Sequence, residues 1–125
     1  MPVIQIQALP QQPEPDIPQL LALLCLAVAE GVGMPADYVS ATWQTIPPGR
    51  YAVGGITVMT QPRATHPVIV EFLAFETDDP EEIRKLLRIA GSTLEQTLGL
   101  PGNVFITFRS VRSGEVYDGG EVVGI

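Results

Sequence analysis

Over residues 3–9 the chain alternates. Val3, Gln5, Gln7 and Leu9 fall on one side and Ile4, Ile6 and Ala8 on the other, the period of two that marks a strand. The pattern then changes. Residues 17–29, IPQLLALLCLAVA, carry no charge and read as a buried helix, with Asp16 as its cap and Gln19 three positions on to complete a capping box. A second helix start is written more strongly. Asp79 is the cap, Pro80 takes the first helical position, where a missing amide costs nothing, and Glu82 closes the box. Beyond it Ile83, Leu86, Leu87, Ala90, Leu94 and Leu98 form one apolar stripe. Gly33 and Gly99 stop the two helices, each followed two residues later by proline. Residues 38–46 and 104–111, rich in β-branched and aromatic side chains, read as return strands. Asp118-Gly119 is a turn dipeptide between Val116-Tyr117 and residues 121–123.

Laid over itself, the sequence repeats. Pro2-Val3-Ile4 recurs as Pro67-Val68-Ile69, a shift of 65 positions. At that shift Val39, Thr42, Trp43 and Gly49 meet Val104, Thr107, Phe108 and Gly114, and Gly54-Gly55 meets Gly119-Gly120. Single coincidences are cheap in so apolar a chain, but an ordered set through both halves signals duplication. The chain therefore reads as a single domain, 1–125, made of two pseudo-repeats at about 2–60 and 67–125. Each repeat is strand, helix, strand and glycine hairpin, so the fold class is α+β. Each strand-helix-strand unit gives a parallel pair through a right-handed crossover. Two units joined give a four-stranded sheet with both helices on one face. Ile4, Ile6, Ile69 and Phe72 suggest apolar surface on both faces of the sheet, and no sequence remains to cover the second. An oligomer is therefore expected.

Charge narrows the partners. The net charge is −7 and Lys85 is the only lysine, so a phosphate backbone would be repelled and nucleic acid is not an expected partner. Cys25 is the only cysteine, which excludes an internal disulfide and a multi-cysteine metal site. The longest uncharged run is too short to cross a bilayer. The opening residues lack the basic region and apolar core of a signal peptide. No membrane association and a cytoplasmic location are the resulting expectations.

Two consecutive units of about sixty residues, each opening Pro-Val-Ile and closing near Gly-Gly, resemble the tautomerase superfamily. The first half is similar to 4-oxalocrotonate tautomerase through its Pro-Val-Ile-Gln-Ile start, the Met34-Pro35 turn and residues 49–55, GRYAVGG. The second is similar to macrophage migration inhibitory factor through Leu86-Leu87, Leu94 and residues 101–108, PGNVFITF. The resemblance implies a homotrimer whose sheets line the interior. It also implies a cofactor-independent enzyme that binds a small molecule and uses no metal, with Pro2 as the catalytic base once Met1 is removed. A terminal secondary amine acts as a base only when uncharged, and an apolar pocket disfavours its ammonium form. Ile4, Tyr51, Phe105 and Phe108 are candidates for that apolar wall. The implied activity is keto-enol tautomerisation of a small 2-keto acid or an aryl pyruvate. The alternatives are proline-dependent decarboxylation, hydration or dehalogenation, or a non-catalytic oligomeric binding protein with this fold.

The ligands for a substrate carboxylate depart from the family pattern. The family's arginine positions fall at Gln12 and Ser40, the lysine of the inhibitory-factor branch falls at Met34, and its tyrosine and asparagine fall at Phe105 and Thr107. A dicarboxylate is disfavoured accordingly, since arginine forks are the usual carboxylate grip. The substrate-binding candidates are Tyr51, Arg50, Phe105, Thr107 and Arg109. Arg109 shares a strand face with Phe105 and Thr107 by alternation, and Tyr51 would wall the pocket and offer its hydroxyl to an enolate. Asp37 is a weaker candidate for activating water. Arg63 and Arg112 read as loop charges, Arg84, Lys85 and Arg88 as a solvated helix face, His66 as a loop residue and Cys25 as a buried helix position. Pro67 is internal and has no free amine.

Overall fold

A computed structural model describes residues 1–124. Each half runs through strand, helix, strand and hairpin: β1 Val3–Ala8, α1 Ile17–Val32, β2 Ser40–Thr45, β3 Ala52–Val53 and β4 Ile56–Thr57, then β5 Val68–Phe75, α2 Pro80–Leu98, β6 Val104–Val111, β7 Tyr117–Asp118 and β8 Glu121–Val122. The four long strands form one sheet in the order β2-β1-β5-β6. β1 is parallel to β2 and β5 is parallel to β6, while β1 and β5 meet antiparallel with Val3 opposite Leu73 and Gln7 opposite Ile69. The two strand-helix-strand units thus join through their first strands and run in opposite directions. This is the tandem β-α-β sheet with two helices on one face.

The caps follow the sequence closely. Asp16 Oδ1 accepts from the Gln19 amide at 3.1 Å, and Asp79 Oδ1 accepts from the Glu81 amide at 3.0 Å, so the second cap is made through Glu81 and not through a box with Glu82. Gly33 and Gly99 close the helices in the left-handed region, at φ 69° and 66°. Two expectations shift in detail. The first return strand begins at Ser40, because residues 36–38 form a single 3₁₀ turn capped by Pro35. The second hairpin turns on Gly119-Gly120 and not on Asp118-Gly119: Asp118 pairs with Glu121, and the two glycines take positive φ of 63° and 88°. Gly54-Gly55 does the same in the first hairpin, as a two-residue turn with both central residues at positive φ requires.

The core lies between the helices and one face of the sheet. Ile4, Ile6, Ala8, Val68, Val70, Phe72 and Ala74 pack there against Leu20, Leu24, Val28, Leu86, Ala90 and Leu94. Phe108 joins them, stacked on Phe72 at 5.5 Å between ring centroids. Full burial of such side chains stabilises by roughly 1.5–3 kcal/mol each. This placement corrects the expectation of two apolar faces. Ile4, Ile6 and Phe72 all point to the helices, and only Ile69 stands on the far side. Across the middle of that face runs a polar row of Thr42, Gln5, Glu71 and Thr107, placed side by side by strand register, with Gln7 donating to Gln44 at 3.4 Å. Apolar residues on this face collect toward the ends, as Phe105 and Ile69 at one and Leu73, Phe75 and Val111 at the other. Among the described residues no helix is long and apolar enough to cross a membrane.

Candidate active site

Pro2 precedes β1 and is buried, whereas Met1 is 51% exposed. The Pro2 carbonyl accepts from the Ser40 amide at 3.1 Å, which ties the start of the chain to β2. Beside it lies a cavity of about 360 Å³, lined by Met1, Val3, Leu73, Phe75, Val111 and the C-terminal hairpin residues Glu115, Val116 and Tyr117. The chain runs past this cavity from Met1 through Pro2 to Val3. Its walls are mainly apolar, with one carboxylate and one phenol and no lysine or arginine. A larger concavity of about 700 Å³, where the end of α1 meets the start of α2, is lined by Asp79, Glu81, Glu82, Lys85 and Arg88, a solvated charged surface.

The hairpin is held against the cavity by local bonds. The Ser113 hydroxyl and amide both donate to the Glu76 carboxylate, and the Glu76 amide donates to the Val111 carbonyl at 2.7 Å. Glu115 accepts from the Arg112 amide at 2.9 Å and lies 3.9 Å from its guanidinium. Tyr117 is 73% exposed at the cavity rim. The lining residues Glu115, Val116 and Tyr117 were not among the sequence candidates. The signal for them was present in the repeat. Two units joined antiparallel through their first strands must each lay their hairpin over the other's first residue.

The sequence candidates divide between the two ends of the sheet. Phe105 is in register with Ile69 and Gln7, and Gln7 is five residues beyond Pro2, about 17 Å at strand rise. Tyr51 and Arg50 belong to that distant end as well. The Tyr51 hydroxyl donates to the Pro67 carbonyl at 2.8 Å, and its ring stands edge-on to His66 at 5.1 Å. Burial pushes the Tyr51 phenol above its ordinary pKa, so it stays a proton donor. Thr107 sits midway, beside Glu71. Arg109 is level with Leu73 at the Pro2 end but lies 4.0 Å from Glu71 and does not line the cavity. Within one protomer, then, Pro2 is not brought together with Arg50, Tyr51 or Phe105. Ile4 and Phe108, expected as pocket walls, are core residues on the helix side.

His66, expected as a loop residue, is only 3% exposed and bonded at both ring nitrogens, to the Ile56 carbonyl at 2.8 Å and the Thr65 hydroxyl at 3.1 Å. Cys25 is half-buried, with its thiol pushed up by desolvation. Asp37 is exposed in the 3₁₀ turn. No cluster of three or more histidine, cysteine or acidic side chains able to hold a metal occurs among the described residues.

The pseudo-duplicated β-α-β sheet, with a proline ahead of each first strand, is a fold that solved structures share. The chain is similar to a fused 4-OT described as a symmetric trimer (TM-score 0.80, 16% identity, 97% of this chain and 94% of that one). It is similar also to a protein crystallised after inactivation by 2-oxo-3-pentynoate (TM-score 0.79, 19% identity, 97% and 94%). A third is the macrophage migration inhibitory factor of Oncomelania hupensis (TM-score 0.75, 15% identity, 99% and 83%). Identities this low carry the fold and leave the activity open. No protein-family model and no curated protein sequence matches the chain.

Proposed function

We propose that the protein is a cofactor-independent keto-enol tautomerase that acts on a small 2-keto acid or aryl pyruvate, with Pro2 as its base once Met1 is removed. The observation that supports this reading is that Pro2 is buried between Met1 and Val3, both of which line an apolar cavity of about 360 Å³. With Met1 attached, the Pro2 nitrogen is a tertiary amide without a basic lone pair. Removal of Met1 converts it to a secondary amine and also takes away one wall of the cavity. Low polarity around the amine disfavours its protonated form and leaves the lone pair free at neutral pH. The amine takes the enol hydroxyl proton and delivers a proton to the adjacent carbon, so the reaction is a net isomerisation with no other reactant. General-base action of this kind contributes on the order of 100- to 10,000-fold.

Fused 4-OT is described as a trimer, and a homotrimer is part of the same reading for this chain. Arg50 and Phe105, remote from Pro2 in one protomer, reach a Pro2 site only from a neighbouring copy. A hydratase reading comes second and has one observation in its favour: the Glu115 carboxylate lines the cavity and could activate water.

Two measurements test the proposal. Intact mass should show the loss of one methionine. Phenylenolpyruvate ketonisation, followed by absorbance, should fall at least 100-fold in Pro2→Ala. Unchanged turnover in that variant removes Pro2 from the mechanism.

A further inference from the structure

Among the described residues only two that are not glycine take positive φ, His66 at 50° and Glu76 at 48°. A side chain is strained there and glycine is not, so such a position marks a side chain that is put to use. The two flank β5, one before it and one after it, and each ties down a hairpin. At the shift of 65, His66-Pro67 corresponds to Met1-Pro2, and the hairpin β3–β4 corresponds to β7–β8. His66 Nε2 donates to the Ile56 carbonyl of the first hairpin at 2.8 Å, and Tyr51 fastens the same hairpin to the Pro67 carbonyl. Glu76 does the work for the second. Its carboxylate accepts from the Ser113 amide at 3.2 Å and from the Ser113 hydroxyl, while its own amide donates to the Val111 carbonyl. Beyond these, the hydrogen bonds of residues 113–124 among the described residues stay inside 112–123. Gly114 donates to Val123, Val123 donates to Val116, Glu115 bonds with the adjacent Arg112, and β7 pairs with β8. Gly124 closes on Ser113 so tightly that a Cβ there would stand 2.5 Å from the Ser113 Oγ.

We infer that Glu76 is a positioning residue for the Pro2 site: its clasp on Ser113 holds the C-terminal hairpin against the cavity, and opening that clasp releases one wall of the site. The inference rests on the proposed Pro2 site and adds the residue that controls its hairpin wall. The clasp joins the two sides of the cavity directly. Glu76 follows Phe75, which lines the cavity from β5, and Ser113 stands two residues before Glu115, which lines it from the hairpin with Val116 and Tyr117. Fixing Glu76 to Ser113 therefore fixes the separation of the walls. Nothing else of comparable strength does so within the protomer. β7 and β8 are two residues each, and a two-stranded hairpin alone is marginally stable in water. Bonds to an ionised carboxylate are roughly twice as strong as neutral ones, and one Glu76 oxygen takes both Ser113 donors. The first hairpin, with ties from both Tyr51 and His66, does not depend on a single residue in this way.

Glycine separates the clasp from the fold. Glu76→Gly removes the carboxylate and also relieves the strained φ, so the thermal midpoint should hold or rise. Amide hydrogen exchange of the full chain should nevertheless quicken tenfold or more at Ser113, Gly114 and Val123, with α1 and α2 unchanged. In phenylenolpyruvate ketonisation KM should rise fivefold or more while kcat stays within threefold, the mark of a lost wall and an intact base. Ser113→Ala, which loses one of the two bonds, should move exchange and KM the same way by a smaller factor, and should add nothing in a Glu76→Gly background. Glu76→Gln keeps an oxygen that accepts both bonds and should restore exchange and KM to within threefold of the wild type. Three results would each overturn the inference: unchanged exchange or KM in Glu76→Gly, a Glu76→Gln variant as loose as Glu76→Gly, or a fall in thermal midpoint with faster exchange throughout the chain. Exchange needs no substrate, so the two readings fail separately. Full turnover in Pro2→Ala defeats the catalytic proposal, and an unmoved hairpin in Glu76→Gly defeats this one.

Discussion

The Pro67 end and the Pro2 end of the sheet are the same design put to different uses. Around Pro67 every buried side-chain polar group of the described residues has a partner. Gln61 Nε2 donates to the carbonyls of Pro62 and His66 at 2.9 Å, Asn103 Nδ2 donates to Thr65 at 2.9 Å, and His66 and Tyr51 complete the seal. Around Pro2 the corresponding space is walled by Leu73, Phe75, Val111 and Val116 and holds an exposed methionine where its counterpart holds a buried histidine. An internal duplication provides two copies of a site, but only one can have a chain terminus. Pro67 is fixed as an amide by the peptide bond to His66, so its end is free to be filled for stability. Under the proposed function, the difference between the ends is a division of labour imposed by chain connectivity.

The largest expected effect breaks the comparison directly. Pro2→Ala should lower tautomerase turnover by 100-fold or more, whereas Pro67→Ala should leave turnover within a factor of two or so, because the loss of general-base action applies only to the free amine. Steady-state kinetics of the two variants, side by side, decide it. Equal losses would show that both prolines act through the fold and neither through chemistry.

A smaller effect reads the sealed end. His66→Ala removes the partner of the Ile56 carbonyl and the edge contact to the Tyr51 ring. A part-buried acceptor left unpaired costs up to roughly 1–3 kcal/mol. Urea denaturation should report a loss in that range, and hydrogen exchange should speed up in residues 49–58 before it does in the C-terminal hairpin. Removal of Met1, the residue at the corresponding place, should cost no measurable stability, since its side chain makes no hydrogen bond and is half exposed.

The fold was legible because periodicity, caps and glycines all pointed the same way. Asp16, Asp79, Gly33 and Gly99 set both helices to within a residue, and the repeat supplied the topology. The candidate site was less legible. Pro2 is singled out by resemblance, and Tyr51 and Phe105 are grouped with it although, within one protomer, the antiparallel join carries them to the opposite end. Strand alternation says which residues share a face and says nothing about which end of the sheet they occupy. His66 was unreadable from local context. Its burial comes from a hairpin ten residues away folding over it, and a single histidine in a polar junction carries no mark of that contact.

Tyr51 gives a subtler probe, with a pH signature. Its folded-state phenol titrates above the ordinary value of 10.0 because burial opposes the phenolate. Below pH 10 or so the phenol is protonated in both folded and unfolded chains, and its contribution is whole. As pH rises beyond that, the unfolded chain ionises first. Stability therefore falls until the folded phenol ionises as well. Tyr51→Phe should cost about 1 kcal/mol at neutral pH for the lost bond to Pro67, and the wild type's advantage should shrink as pH rises above about 10. Denaturation midpoints at pH 7 and pH 11 test this.

The smallest expected effect concerns Arg109, the one cation placed near the open end by strand register. Its guanidinium lies 4.0 Å from Glu71, with side chains 70% and 46% exposed, a pair in contact with water on the helix-free face. Exposed pairs of this kind contribute roughly 0–1 kcal/mol, so Arg109→Gln should change stability by less than about 0.5 kcal/mol. Its effect on kinetics is the sharper reading. An arginine that held the substrate carboxylate would, when removed, raise KM for an aryl pyruvate and leave a neutral aryl ketone unaffected. If Arg109 serves only Glu71, both substrates keep their KM values, and any carboxylate must be met by a cation from another copy of the chain, with Arg50 the candidate at the far end. A rise in KM confined to the anionic substrate would move Arg109 into the site and make the two ends less unlike than their cavities suggest.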